Sequence, residues 1–191
     1  MKSDKHGDHM MMWRNTQHGY GLVSITLHWL VALAVTGLFV LGLWMVDLGY
    51  YNRWYQRAPD IHKSVGVLLF GVMLARVVWR YSNPRPDAIG SARERKVAAW
   101  VHRMLYALMY MLMLSGYLIP TADGRGIDVF GLFSIPAGIS GLQNQADVAG
   151  KVHELLAFAL ITLTILHTLA ALKHHLVDRD QALRRMLGIK H

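Results

Sequence analysis

Four histidines occupy places where an imidazole is expensive. His28 lies near the start of the first long apolar segment, His62 at the mouth of the second, and His153 and His167 within the fourth. The last two are fourteen residues apart. On one helix that spacing is about four turns, a rise of roughly 21 Å with only about 40° of angular mismatch. Both side chains therefore leave one face of one helix at two different depths. Histidine in hydrocarbon usually marks function, and imidazoles paired across a helix bundle are what a haem iron needs on its two axial sides. The chemistry within reach of these residues is one-electron transfer at two b-type haems.

The elements that must position them are read from the apolar stretches. Residues 21–46, 62–81, 97–120 and 152–172 are each long and apolar enough to cross a bilayer. Only helices or closed barrels satisfy the backbone in lipid, and strand alternation is absent, so the expected fold is all-α, an up-down-up-down four-helix membrane bundle. The domain reading is a tail over residues 1–20, the bundle over 21–172 and a second tail over 173–191. Pro59 predicts that the second helix begins near Asp60. The connection from Thr121 to Lys151 is the longest, and its apolar run from Ile127 to Ile135 suggests a cap over the outer end of the bundle.

Composition agrees. Of 191 residues 53% are hydrophobic and 17% charged, with no cysteine, and the mean hydropathy is +0.26. The missing thiols exclude structural disulfides, thiolate-bound clusters and covalently attached c-type haem. The net charge of +8 is placed by topology. From Arg76 to Arg103 there are seven Lys/Arg and two acids, and from Lys173 onward five and two, whereas the other connections balance five basic residues with five aspartates. Lys/Arg mark cytoplasmic segments, so both termini are expected inside. The same asymmetry argues against nucleic acid as a partner. Met1–Gln17 reads as polar and without a secretory cleavage pattern, so the first span is expected to be retained.

Depth decides how the histidines pair. Helix one runs outward and helix four inward, which brings His28 and His167 together near the inner face. Helices two and four both start outside, which brings His62 and His153 together there. Crossed pairs would be separated by most of the bilayer.

The other polar residues read more blandly. His102 is expected to be an interfacial hydrogen-bonding residue, with the inner haem or a quinone as its other reading. His174 is seven residues beyond His167 on the same face and could meet a ligand beside the inner haem, or else belong with His175 to a solvated flank. His6, His9 and His18, with the Met10–Met12 run, hint at copper but read first as a flexible terminus, and His191 has no assigned role. Arg76, Arg103 and Lys173 inside, and Lys63, Arg53 and Arg57 outside, are candidates to neutralise haem propionates, or else anchoring and surface charge. Gly66, Gly71, Ala157, Ala159, Ala170 and Ala171 are small enough to admit a flat macrocycle or a neighbouring helix.

Several stretches together carry a family resemblance. They are His28-Trp29, Ile61-His62-Lys63-Ser-Val-Gly66, Val152-His153-Glu154, Leu166-His167 and the tail Leu172-Lys-His-His-Leu-Val-Asp-Arg-Asp-Gln-Ala-Leu-Arg-Arg-Met186. Over residues 18–188 the chain resembles the bacterial cytochrome b561 family, small di-haem cytochromes of proteobacterial inner membranes. The resemblance implies two haem b groups with His28, His62, His153 and His167 as axial ligands. It also implies transfer from an outer donor, superoxide or a periplasmic protein, to ubiquinone near His174. Two alternatives are a cytochrome b relay subunit serving a partner oxidoreductase and, from the residues alone, a histidine-lined metal transporter. Zinc and copper sites usually add acids or thiolates, and Glu154 is the only acid inside a predicted span.

Overall fold

The computed structural model describes residues 13–189. His6, His9, the Met10–Met12 run and His191 lie outside the described residues. Four long helices follow in order: α1 (Leu22–Val46), α2 (Arg57–Ser82), α3 (Ala92–Leu118) and α4 (Gln145–Leu176), with a short α5 (Ala182–Met186) behind them. Each of the four is long and apolar enough to cross a membrane, and in each no more than 17% of the most apolar window is buried inside the protein. Apolar side chains left outside in that proportion suit lipid, where the helix backbone is already satisfied.

The helices pack as two hairpins, α1 along α2 and α3 along α4, joined by contact between α2 and α3. Their shared core is a layer of Val31, Leu69, Met73, Leu108, Met109 and Leu160. Leu160 is seven residues from His153 and seven from His167, so the layer separates two histidine levels, named outer and inner after the topology expected from the charge. Tyr110 of α3 adds a polar tie by donating to the Met73 carbonyl of α2 (3.2 Å).

Two helices begin earlier than their sequences suggest. The α2 helix starts at Arg57, three residues before Asp60, with Pro59 in its first turn. Backbone N–H groups there have no intrahelical partner, so a proline costs little. The α4 helix starts at Gln145, seven residues before the predicted span, and runs on to Leu176. Buried Gln145 fastens that start, donating to the carbonyls of Leu118 (3.0 Å) and Ile139 (3.2 Å). At the start of α3, Ser91 and Glu94 form a reciprocal capping box.

The long outer connection folds against the bundle. Its apolar run makes an antiparallel hairpin, β1 (Ile127–Val129) and β2 (Phe133–Ile135), with Ile127 opposite Ile135. This strand pair is absent from the expected architecture. Phe130 and Gly131 turn it with φ of 53° and 70°, the handedness that matches strand twist. Ile127 and Val129 are buried. Ser64 of α2, two residues beyond His62, clamps the turn by accepting from the Phe130 N–H (3.2 Å) and donating to the Asp128 carbonyl (3.4 Å).

The inner ends are tied as well. Residues 13–21, expected to be flexible, are fastened in part. Asn15 accepts from the Gly21 N–H and the Ser24 hydroxyl and donates to the Pro84 carbonyl. Gly21 packs so closely that a Cβ there would lie 2.5 Å from the Arg14 carbonyl. His18 is exposed. Trp29 donates to the Met186 carbonyl (2.9 Å) and so holds α5 against α1.

Candidate functional site

The outer level joins α2 and α4. The rings of His62 and His153 face each other with centroids 6.2 Å apart and planes at 71°. Metal–imidazole bonds of roughly 2 Å, plus a ring radius on each side, leave room for a metal between rings about 6 to 6.5 Å apart. His62 and His153 would be the residues to hold one at this level. His153 Nδ1 donates to the Leu112 carbonyl (3.0 Å) and lies 3.3 Å from the Ser115 hydroxyl. A backbone carbonyl only accepts, so the ring proton sits on Nδ1 and the Nε2 lone pair is free for a metal. His62 Nδ1 is buried and has no hydrogen-bond partner.

Two glycines make room for these rings. A Cβ on Gly116 of α3 would lie 2.8 Å from His153 Cε1, and one on Gly42 of α1 would lie 3.3 Å from His62 Cε1. Gly66 and Gly71, the glycines singled out in the sequence, have no atom within 4 Å of such a Cβ. The close approaches belong instead to glycines on helices facing the histidines.

At the inner level each helix contributes one residue: His28 (α1), Arg76 (α2), His102 (α3) and His167 (α4). The His102 and His167 rings pack edge to face, with centroids 5.2 Å apart. His102 thus packs inward against His167, in place of the interfacial role first read from its position. Arg76 donates to the Leu27 carbonyl (3.1 Å) and the Tyr106 hydroxyl (3.0 Å), and its Nη2 lies 3.1 Å from His28 Nδ1. A guanidinium only donates, so His28 Nδ1 accepts and a neutral ring carries its proton on Nε2. Metal binding through Nε2 requires that one contact to loosen, with Leu27 and Tyr106 still holding the guanidinium. Three imidazoles without a nearby acid otherwise match a bis-histidine haem and leave one ring over.

The other charge candidates divide. Lys63 is paired with Asp60 (2.9 Å). Arg53 lies over the Trp54 ring. Arg103 donates to the Ala99 carbonyl of its own helix. Lys173 donates to Asp178 (2.8 Å). Arg76 differs from these in contacting a histidine directly, with Nη2 3.1 Å from His28 Nδ1.

A third cluster closes the inner mouth. His174 Nδ1 lies 3.0 Å from an Asp178 oxygen and 2.9 Å from an Asp180 oxygen. Glu94 of α3 completes the group, its carboxylate within 4.8 Å of the His174 and Asp178 ligand atoms. Asp178 is held below the usual carboxylate range, first by the hydrogen bond from Lys173. His174 is clasped by carboxylates, whereas a solvated flank was one of its two expected readings. His175 is half-buried, and its Nδ1 has no partner.

Four membrane-length helices with imidazoles gathered at two levels define a membrane protein of the bundle-cytochrome class. The family model described as prokaryotic cytochrome b561 matches residues 19–188. The chain is 46% identical over 180 residues to cytochrome b561 homolog 2 of Escherichia coli, covering 93% of this chain and 96% of that protein. It is 31% identical over 175 residues to a probable superoxide oxidase of Yersinia pestis (90% and 97% covered) and 29% identical to cytochrome b562 of Cereibacter sphaeroides (88% and 95%). The chain belongs to the prokaryotic cytochrome b561 family, bacterial membrane cytochromes that bind b-type haem and carry electrons.

Proposed function

We propose that the chain carries electrons across the inner membrane through two haem b groups, from an outer donor to ubiquinone at the cytoplasmic side. His62 and His153 would hold the outer haem, and His28 and His167 the inner one. Bound haem supplies a reversible one-electron change at iron, and the protein supplies ligands, burial and charge. The observation that carries the reading is the 6.2 Å His62–His153 spacing, with His153 Nδ1 committed to a backbone carbonyl.

Each level has its own task. At the outer level Leu112 and Ser115 orient His153, and the Ser64-clamped hairpin folds onto α2 beside His62. At the inner mouth, Asp178 and Asp180 hold His174 by Nδ1, which leaves Nε2 as the nitrogen for a ligand. His174 lies about two turns, roughly 10 Å, cytoplasmic to His167 on the same face, a suitable place for a quinol hydroxyl to donate a hydrogen bond to that nitrogen. The Lys/Arg distribution supports cytoplasmic termini.

For the donor, superoxide is suggested by the name of the Yersinia pestis relative. A periplasmic protein is the second reading, favoured by the exposed apolar hairpin tip, where Leu132 is 81% exposed between Phe130 and Phe133. Purified protein distinguishes the two. If superoxide is the donor, it reduces the haems directly and ubiquinone then bleaches them. If a protein is the donor, reduction waits until a periplasmic fraction is supplied. Protein from haem-replete cells with no Soret band contradicts both and returns the histidines to metal transport.

A further inference from the structure

We propose that the guanidinium of Arg76 makes the inner histidine level the better electron acceptor, so that outer-to-inner flow is set by where the chain places fixed positive charge. This rests on the two-haem reading above. Arg76 lies fourteen residues beyond His62 on α2, as His167 lies fourteen beyond His153 on α4. The two helices are thus in register: where α4 offers a second imidazole, α2 offers a guanidinium.

That charge is fixed and central. It is tied to the Leu27 carbonyl of α1 and the Tyr106 hydroxyl of α3, which keep it beside His28 when the Nδ1 contact loosens. At the same level the His102 ring packs on that of His167 at 5.2 Å. Arg80, one turn further on, sits over the same Tyr106 ring at 5.4 Å. No carboxylate pairs with Arg76 among the described residues. An arginine within a membrane span is costly unless hydrogen-bonded, as Arg76 is. The outer level differs, because Lys63, beside His62, is paired with Asp60 at 2.9 Å and is about one-third exposed (34%). Its charge is both balanced and screened.

Reduction of an iron held at His28 and His167 adds one electron, delivered from the outer level, and removes one unit of positive charge there. A neighbouring fixed cation in a low-dielectric layer favours the reduced form. A single charge at this range changes the one-electron equilibrium by about tenfold or more, and tenfold corresponds to about 59 mV.

The test is an optical redox titration of the haem-loaded protein. The inner component is identified as the one missing in His28→Ala or His167→Ala. Arg76→Gln is expected to lower the midpoint of that component by about tenfold in equilibrium, about 59 mV, and to leave the other in place, while Arg76→Lys retains most of the wild-type value. Asp60→Asn removes the carboxylate paired with Lys63, and is expected to raise the outer midpoint. The proposal is overturned if Arg76→Gln moves neither component or moves the outer one, if Arg76→Lys falls as far as Arg76→Gln, or if Asp60→Asn leaves the outer midpoint unchanged. A wild type that binds fewer than two haems overturns the two-haem reading instead.

Discussion

His153 donates from Nδ1 to the carbonyl oxygen of Leu112 at 3.0 Å, across the α3–α4 pair. One contact sets both the tautomer and the orientation of the ring. It also shows why α3 matters to a site whose imidazoles come from α2 and α4: α3 supplies the acceptor at Leu112, the hydroxyl at Ser115 and the space at Gly116.

The space is the easiest of these to remove. A Cβ at position 116 would lie 2.8 Å from His153 Cε1 and 3.0 Å from Nδ1, whereas one at position 66 meets nothing within 4 Å. Gly116→Ala should push the ring aside at an overpacking cost of about 1–3 kcal/mol and lower outer haem occupancy. Gly66→Ala should leave haem content at the wild-type level. Pyridine-haemochrome analysis of both proteins checks the contrast, and equal content would contradict it.

The hairpin clamp predicts a stability effect separate from haem binding. Ser64 is 2% exposed and bonds both the Phe130 N–H and the Asp128 carbonyl. Ser64→Ala removes both partners and leaves part-buried backbone groups unpaired, at about 1–3 kcal/mol. Thermal unfolding in detergent should shift downward, and protease should cut the outer connection faster. An unchanged melting curve would mean the hairpin is held by its apolar contacts alone.

The inner clasp has a signed pH dependence. Asp178 is held below the usual carboxylate range, first by the Lys173 hydrogen bond. A carboxylate lowered in the folded state contributes stability that is complete above its unfolded value of about 3.9 and is lost as pH falls through the folded value. Protection of residues 177–189 in hydrogen exchange should therefore be flat from neutral pH down to about 4 and fall below it. In Asp178→Asn protection should be low throughout. The same variant should slow quinone reduction without loss of haem if His174 needs this carboxylate to hold its orientation. Protection that fades between pH 7 and 5 would contradict this.

Four spans and the fourteen-residue histidine spacing were legible because each is a property of one segment: an apolar run, or an interval along one helix axis. What was missed depends on how segments rotate against one another. Gly42 and Gly116 matter because His62 and His153 swing onto them from other helices, and no interval along α1 or α3 announces it. His102 looked interfacial by position, yet the rotation of α3 turns it onto His167. The β1–β2 hairpin lacked an Asn-Gly or Asp-Gly turn signal, since Phe130 takes a left-handed conformation that aromatic residues seldom adopt. The early start of α4 was hidden by polar residues around Gly150, and it depends on two carbonyls that Gln145 reaches only after folding.

The central claim is that two separate pairs of imidazoles each hold one haem, and haem stoichiometry in single-histidine variants tests it most directly. The account predicts two haems per chain in the wild type. It predicts one in His153→Ala, with the remaining spectrum matching that of His62→Ala and differing from that of His28→Ala. If folded His153→Ala protein keeps both haems or loses both, the two-level pairing is contradicted.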